Sequence, residues 1–446
     1  MRTRRIVSKP RPQSVRATAV AASQPIVAVD VGTTVTKVAL WIDGQSHYQR
    51  IATPWDPRAY APPYVCAVNH WWDRIVRSMR TLLTARALSE VSVLSISTIS
   101  PVPVMFNASG TTAVAVPYWT ISRLPPGTTR AEWLHWCLTN MRALVGRPAE
   151  PMLVSDLAGY FVYRACGQHA ISPINAAELS LRDSGSRLVS SSVPAVRARI
   201  ELEPGEAIFD RVAARAIVHT TDSHAVSLVG DDPGGGSLLY LGTFGGLLSR
   251  ASGPRPYRWL VSCPRFGAEI DAFVSSHFSS RHPHTSMTGL AKSRPSGANG
   301  FLLQLPVWDN AGVPQGAYRL HDVCLSHRVP TLAEVSRTYS EALCHCVLSI
   351  AESYLEDKIY LAGGGATDHT LGTIMATLLR RPVVVQRDKS GTLGTYLYAL
   401  EPFERSAARE AAIRVADFSQ SEMTDAAVAS YAKAVYAGID VRSEIA

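Results

Sequence analysis

No C-x-x-C pair occurs in this chain. Its seven cysteines, Cys66, Cys137, Cys166, Cys263, Cys324, Cys344 and Cys346, are odd in number and scattered, which supports neither a disulfide framework nor a zinc site. Cys344-His345-Cys346 has ligand-type residues, but it sits in an apolar helical pattern with no second ligand pair nearby. Reduced thiols of a cytoplasmic protein account for this usage. No apolar run reaches the roughly 20 residues that a membrane span requires, so no membrane association is expected. Also missing are G-x-x-x-x-G-K-[ST], which excludes a P-loop, and a G-x-G-x-x-G after the first strand, which counts against a dinucleotide site. Acidic residues are absent from positions 1–24, where Arg2, Arg4, Arg5, Lys9, Arg11 and Arg16 stand. These six account for most of the net charge of +8, so the remainder is close to neutral and is not a basic nucleic-acid surface. The segment 1–24 has few large apolar residues and is expected to be a disordered basic tail. An Arg-rich leader would also fit a transit peptide, although not a secretory signal, which needs an apolar core.

With 446 residues the chain is too long for one core, and its 46% apolar content is that of a globular protein of two or three domains. The most informative stretch is Pro25 to Gly44, PIVAVDVGTTVTKVALWIDG. An apolar run ends at Asp30, Gly32-Thr33-Thr34 turns the chain, and a second alternating run leads to Asp43-Gly44. The pattern predicts a β-hairpin whose turn amides, with the Thr33 and Thr34 hydroxyls, make a concavity for phosphate oxygens. Asp30, at the end of a buried strand, is placed to hold a hydrated Mg²⁺ rather than to bury a bare charge. An ordinary surface hairpin would show the same alternation.

Further along, helices are expected over residues 69–88, 129–144 and 156–166, with strands at 91–99, 102–106 and 113–119. The mixture points to an α/β fold. A strand over 214–220 leads to Thr221-Asp222 and a short helix, and the Gly-rich run 230–236 marks a boundary between residues 25–231 and 232–446. Directly after it, SLLYLGTFGGLLS (237–249) repeats the strand, glycine turn, strand unit, with Gly242-Thr243 about 210 residues after Gly32-Thr33. Two such units, each opening a half of the chain, indicate internal duplication. A third glycine turn, Gly363-Gly364-Gly365, follows a strand at 358–361. Helices are expected at 332–356, 371–379, from 391, and at 425–435.

Three glycine turns, each after a β-run, supply places where backbone can approach a ligand closely. A nucleotide held between two lobes needs such surfaces: two hairpins for phosphates and a bare strand–helix turn for the base. Asp222, ending a strand at the lobe boundary, is the candidate general base, since phosphoryl transfer needs aligned reactants, a metal on the phosphates and a carboxylate for the hydroxyl proton. It could equally be the N-cap of the helix from Ser223.

The order of DVGTTVTK (30–37), TTDSHAVSLVG (220–230), LGTFGGLLS (241–249) and AGGGATDHTLGTIMATLLRRPV (362–383) resembles that of the FGGY carbohydrate kinases, in the actin and sugar-kinase superfamily. HWWDRI (70–75), NASGTTAVAVPYW (107–119), SDLAGYFVYRACGQ (155–168), SPINAAELSLRD (172–183), GTLGTYLYAL (391–400) and the pair Tyr431 and Tyr436 are smaller echoes. The resemblance covers about residues 25 to 440. It implies two ribonuclease-H-like lobes around a nucleotide cleft: an N-terminal lobe (25–231) on the sugar and phosphate side, and a C-terminal lobe (232–446) on the nucleotide side. The implied activity is ATP-dependent phosphorylation of a hydroxyl on a sugar, polyol or sugar-like metabolite, in a cytoplasmic enzyme whose homodimerisation stays open. Asp30 is then the Mg²⁺ residue, and Asp222 the proton acceptor, also touching the substrate. Gly32, Thr33, Thr34, Lys37, Gly242 and Thr243 serve the phosphates; Gly364, Gly365 and His369 lie against adenine; Trp72 and Arg123 belong to the acceptor side.

The sequence also departs from that family. Trp119-Thr120-Ile121-Ser122-Arg123 keeps the family's Trp and Arg but has Ile121 where an acid is usual. Ile99, Pro101 and Pro103 stand where the sugar pocket is usually polar, which should weaken discrimination for hydroxyl-rich acceptors. A nucleotide-binding pseudokinase, acting as a sensor or partner protein, is the alternative that Ile121 raises.

Overall fold

The computed structural model describes residues 24–416 except 44, 55–65, 119, 121–123, 126, 146–151, 180–193, 210–211, 230–236, 243–244, 251–256, 264–265, 280–282, 296, 306, 309–313, 316–318, 323–326, 352–354, 356–358, 364–368, 380–382, 387–389, 401–404 and 406–412. The basic segment and the helix expected at 425–435 lie outside the described residues.

The opening hairpin forms as its alternation predicts. β1 (Ile26–Val31) is buried at every position, as a strand covered on both faces must be. β2 (Val35–Ile42) runs antiparallel to it, and β3 (Gln45–Ala52) antiparallel to β2. β3 lacks an apolar alternation because it is an edge strand with only Ile51 buried. After α1 (Asn69–Thr84), β4 (Glu90–Thr98) pairs parallel with β1. A smaller antiparallel sheet then joins β5 (Pro103–Asn107), β6 (Ala113–Ala115) and, after α2 (Arg130–Val145), β7 (Met152–Asp156). α3 (Leu157–Cys166) and α4 (Pro173–Glu178) follow. β8 (Arg199–Glu201) and β9 (Val212–Thr221) complete the first large sheet, in the order β8-β9-β4-β1-β2-β3. β9 is parallel to β4, and β8 is antiparallel to β9. α5 (Asp222–Ser227) closes this half.

The second half repeats the plan. β10 (Ser237–Leu241), β11 (Gly245–Arg250) and β12 (Tyr257–Cys263) form an antiparallel meander like β1-β2-β3. α6 (Phe266–His277), α7 (Pro283–Lys292) and α8 (Leu332–Ala351) come next. β13 (Ile359–Ala362) pairs parallel with β10. Past α9 (His369–Leu379), β14 (Val383–Gln386) is parallel to β13, and β15 (Ile413–Ala416) is antiparallel to β14. The order β12-β11-β10-β13-β14-β15 thus matches the six-strand path of the first sheet, meander, two parallel strands and an antiparallel edge included; the first sheet adds a seventh strand, Ala207–Phe209, paired with β9. The duplication expected from two glycine hairpins is present in the topology of both halves.

One helix departs from this division. α10 (Ser390–Ala399) comes late in the chain, yet its Leu393 and Leu397, with Leu400 just beyond it, pack on Ile26, Ala28, Ala39, Trp41, Val93 and Val218 of the first sheet. Tyr396 stacks on Trp41 with centroids 4.3 Å apart, and Thr395 meets Ser97 hydroxyl to hydroxyl at 2.6 Å. The second face of the first sheet is therefore covered by chain from the second half. Among the described residues no helix is long and apolar enough to cross a membrane.

Candidate active site

Parallel strands that stop at one level leave a crevice beyond their carboxyl ends, and this is where open α/β sheets hold ligands. In the first sheet Asp30, Ser97 and Thr220 share one row across β1, β4 and β9, and Val31, Thr98 and Thr221 share the next. Asp30 and Asp222 therefore emerge at the same end, one strand apart, about 10 Å at the usual strand spacing.

Asp30 is 3% exposed, and its Oδ2 accepts from Lys37 Nζ at 2.8 Å. A Cβ on Gly391 would stand 1.9 Å from the same oxygen, so the carboxylate is seated against the first turn of α10. Unsatisfied amides at a helix start favour an anion. Beyond β1, Gly32 N donates to Val35 O at 3.2 Å, closing the turn. Thr53 Oγ1 donates to the carbonyls of Thr33 and Thr34 at 3.1 and 3.2 Å. In a trans peptide the amide lies opposite its carbonyl, so the Thr34 N–H faces away from Thr53. Thr33 is buried and Thr34 exposed.

Asp222 opens α5 but does not cap it. The cap is Thr221, whose Oγ1 accepts from His224 N at 3.1 Å and meets the Tyr257 hydroxyl at 2.9 Å. Asp222 Oδ1 accepts from its neighbour Ser223 N at 2.7 Å. Burial and the charge of Asp30 push the Asp222 carboxyl up to about 7; hydrogen bonds from Ser223 act against the rise, and Glu178 adds to it. Among the described residues no cation forms an ion pair with Asp222.

The second sheet brings its own turns to this place. Gly242 follows β10, and a Cβ there would lie 2.6–2.7 Å from the ring and hydroxyl of Tyr240. Gly363, at φ +101°, lies against Leu241 O, where a Cβ would stand 2.5 Å away. Only glycine can adopt that backbone and accept that contact. Burial raises the Tyr240 phenol, as do the charges of Asp222 and Asp30, which puts this residue of the second sheet within electrostatic reach of both carboxylates of the first.

Of the residues predicted at the site, Asp30 and Asp222 lie at the carboxyl ends of β1 and β9, Gly32, Thr33 and Thr34 in the turn beyond β1, Lys37 on β2 against Asp30, and Gly242 just past β10. His369 is the first residue of α9, just past the third turn. Thr243, Gly364, Gly365 and Arg123 lie outside the described residues, as does Ile121. Trp72 requires correction. It is 3% exposed and stacked on Phe161 in the main core, because its helix turns that face inward, so it has no surface to offer an acceptor. The stretch expected at the pocket wall is also interior: Ile99 is 2% exposed, Pro103 is buried on β5, and Ser97 is engaged with Thr395. Cys344 is buried in α8, and burial lowers His345 to about 4; among the described residues no cluster of three metal-type side chains occurs.

Tyr240, Glu178, Arg130 and Gly391 went unread in the sequence. Tyr240 comes from β10 and Gly391 from α10, while Glu178, at the end of α4, is held by Arg130 of α2; none of these placements follows from a local sequence pattern.

The chain matches no protein-family model and no curated protein sequence. Solved structures are similar over nearly the whole length. Xylulose kinase from Rhodospirillum rubrum aligns with TM-score 0.64 and 16% identity, over 93% of this chain and 97% of that one. Glycerol kinase from Plasmodium falciparum, solved with ADP, gives 0.64 and 9%, over 95% and 99%. Gluconate kinase from Lactobacillus acidophilus gives 0.63 and 15%, over 92% and 96%. The chain therefore has the FGGY sugar-kinase fold, two ribonuclease-H-like lobes on either side of a cleft.

Proposed function

We propose that this protein is an ATP-dependent kinase that transfers the γ-phosphoryl group to a hydroxyl of a sugar, polyol or sugar-like metabolite, with Asp222 as general base. The observation that carries this is Asp222 itself. It stands at a strand end beside Asp30, its helix is already capped by Thr221, and its proton affinity is raised to about 7. A carboxylate tuned near the working pH is what proton removal from an attacking alcohol requires. On this reading the turns at Gly32 and Gly242 would take the nucleotide's phosphates, and Gly364, Gly365 and His369 would lie against adenine.

The residues fit Mg²⁺. This ion keeps several waters and takes one or two carboxylates beside substrate phosphates, not a full protein cage. Asp30, buried and held by Lys37 and the start of α10, supplies such a carboxylate. When bound, the ion neutralises charge on the phosphates. Lys37 meanwhile limits the cost of burying Asp30 and orients it. Closure of the lobes excludes water, which would otherwise compete with the acceptor.

The test is a panel of sugars and polyols scored for both ADP release and phosphorylated product. Acceptor-dependent turnover supports the kinase. Tight nucleotide binding with no product for any acceptor favours the pseudokinase that Ile121 brings to mind.

A further inference from the structure

We infer that Tyr257 is a positioning residue for the Asp222 carboxylate: its hydroxyl, brought from the second sheet, fixes Thr221 and through it the first turn of α5, so that the second half of the chain sets the aim of the base. This rests on the kinase reading above and adds a residue to its mechanism.

The Asp222 carboxylate is held by its own helix. It accepts from Ser223 N at 2.7 Å and Ser223 Oγ at 3.3 Å, so whatever turns α5 turns the carboxylate with it. α5 has only six residues, too few for its internal hydrogen bonds to fix its direction. Its seat is therefore made by its neighbours. Thr221, the last residue of β9, caps α5 by accepting from His224 N at 3.1 Å. The same Oγ1 meets the Tyr257 hydroxyl at 2.9 Å, and both side chains are buried. Tyr257 is the first residue of β12, the edge strand of the second sheet. One buried hydroxyl pair thus joins the two sheets at the residue before Asp222.

Other contacts of α5 also come from the second half. Val226 shares an apolar cluster with Leu238, Leu248, Tyr257 and Tyr360. The His224 ring stacks on Tyr257 with centroids 6.0 Å apart and meets Tyr398 of α10 edge-on at 5.2 Å, while its Nδ1 is hydrogen-bonded to Thr220 Oγ1 at 2.7 Å. The Ala225 carbonyl lies against Gly394 of α10. Apolar contacts are non-directional and leave a short helix room to rock. The hydroxyl pair is directional, and it stands at the end of α5 where Asp222 is. A general base must lie within hydrogen-bond reach of the proton it takes, so a small rotation of this turn is felt in the chemical step and not in nucleotide binding.

Tyr257→Phe provides the test, since it keeps the ring, its stack on His224 and its place in the apolar cluster, and removes only the hydroxyl. Kinetics use ATP with the best acceptor from a panel of glycerol, xylitol, xylulose and glucose. The variant is expected to lose about tenfold in kcat, with KM for ATP and for the acceptor within about twofold of wild type. Thr221→Val should lose at least as much, because it removes the cap as well, and Thr221→Ser, which restores the hydroxyl, should recover most of the rate. The double variant Tyr257→Phe/Thr221→Val should be no slower than Thr221→Val alone, because both changes break one bond. A merely structural Tyr257 would lower the melting temperature and leave kcat in place. An unchanged kcat in Tyr257→Phe, a loss confined to KM, or a double variant whose loss is the product of the two single losses overturns this inference and leaves the kinase standing. Absence of product from every acceptor with the wild-type enzyme overturns the kinase reading, and this inference with it. If Tyr257→Phe does not fold by circular dichroism, Thr221→Ser against Thr221→Val decides, and equal kcat in those two overturns the inference.

Discussion

In the proposed mechanism one buried carboxyl group sets stability against reactivity. The ordinary Asp value of 3.8 is raised to about 7 at Asp222. In the proposed kinase Asp222 must be ionised to accept a proton, so kcat/KM is expected to fall as pH drops below about 7 and to level above it. The folded state binds this proton more tightly than the unfolded chain. Asp222 therefore contributes stability fully below about pH 4, and that contribution is lost as pH rises through 7. Asp222→Asn is neutral at every pH. It should retain nucleotide binding, lose acceptor phosphorylation, and melt higher than wild type by a margin that grows from pH 4 to pH 8, to roughly 2 kcal/mol. Thermal melts across that range decide the matter, since a margin independent of pH would remove the buried charge as its cause. Asp30 and Asp222 were legible in the sequence because each ends an apolar run, where a carboxylate has no packing role. Glu178 was not, because it ends a six-residue helix tied down through Asn175, which donates to Asp156 nineteen positions before it.

At the level of elements, α10 carries a conflict between local and tertiary preference. Replacing glycine with alanine inside a helix usually stabilises by about 0.5–1 kcal/mol. Here the opposite is expected at two positions, for different reasons. A Cβ at Gly394 would stand 2.1 Å from Ala225 O, a backbone atom that cannot give way, so Gly394→Ala must push α10 off α5. It should cost about 1–3 kcal/mol, as overpacking does. At Gly391 the obstacle is the Asp30 carboxylate, which the proposed mechanism assigns to the metal and phosphates. Gly391→Ala is therefore expected to lower kcat at saturating ATP more than it lowers the melting temperature. Urea melts and kinetics on both variants test the split; equal losses in both quantities for both variants would mean that α10 acts only through packing. A sequence pattern shows that GTLGTYLYAL is helical but not which surface its glycines meet.

For the molecule as a whole, the duplicated topology and the late return of α10 have opposite consequences. Matching sheets could fold as separate units, and the glycine-rich run 230–236 looks like a seam between them. That much was visible in the chain order: two glycine hairpins, each opening a half. The covering of the first sheet was not, because Leu393, Leu397 and Leu400 stand more than 150 residues past the seam, and a helix's apolar stripe does not name its partner. These leucines are 0%, 0% and 8% exposed. At about 1.5–3 kcal/mol each, their burial is worth roughly 5 kcal/mol, within the range of an entire domain's net stability. A fragment of residues 24–231 would leave Ile26, Ala28, Ala39, Trp41, Val93 and Val218 facing water. It is expected to be poorly soluble or to bind a hydrophobic dye strongly, although it contains all of the first sheet. Adding residues 390–400 back through a flexible linker should restore a cooperative melt. A fragment of 24–231 that melts cooperatively on its own would show that the first lobe does not depend on the returning helix, and that the seam in the sequence is also the seam in the fold.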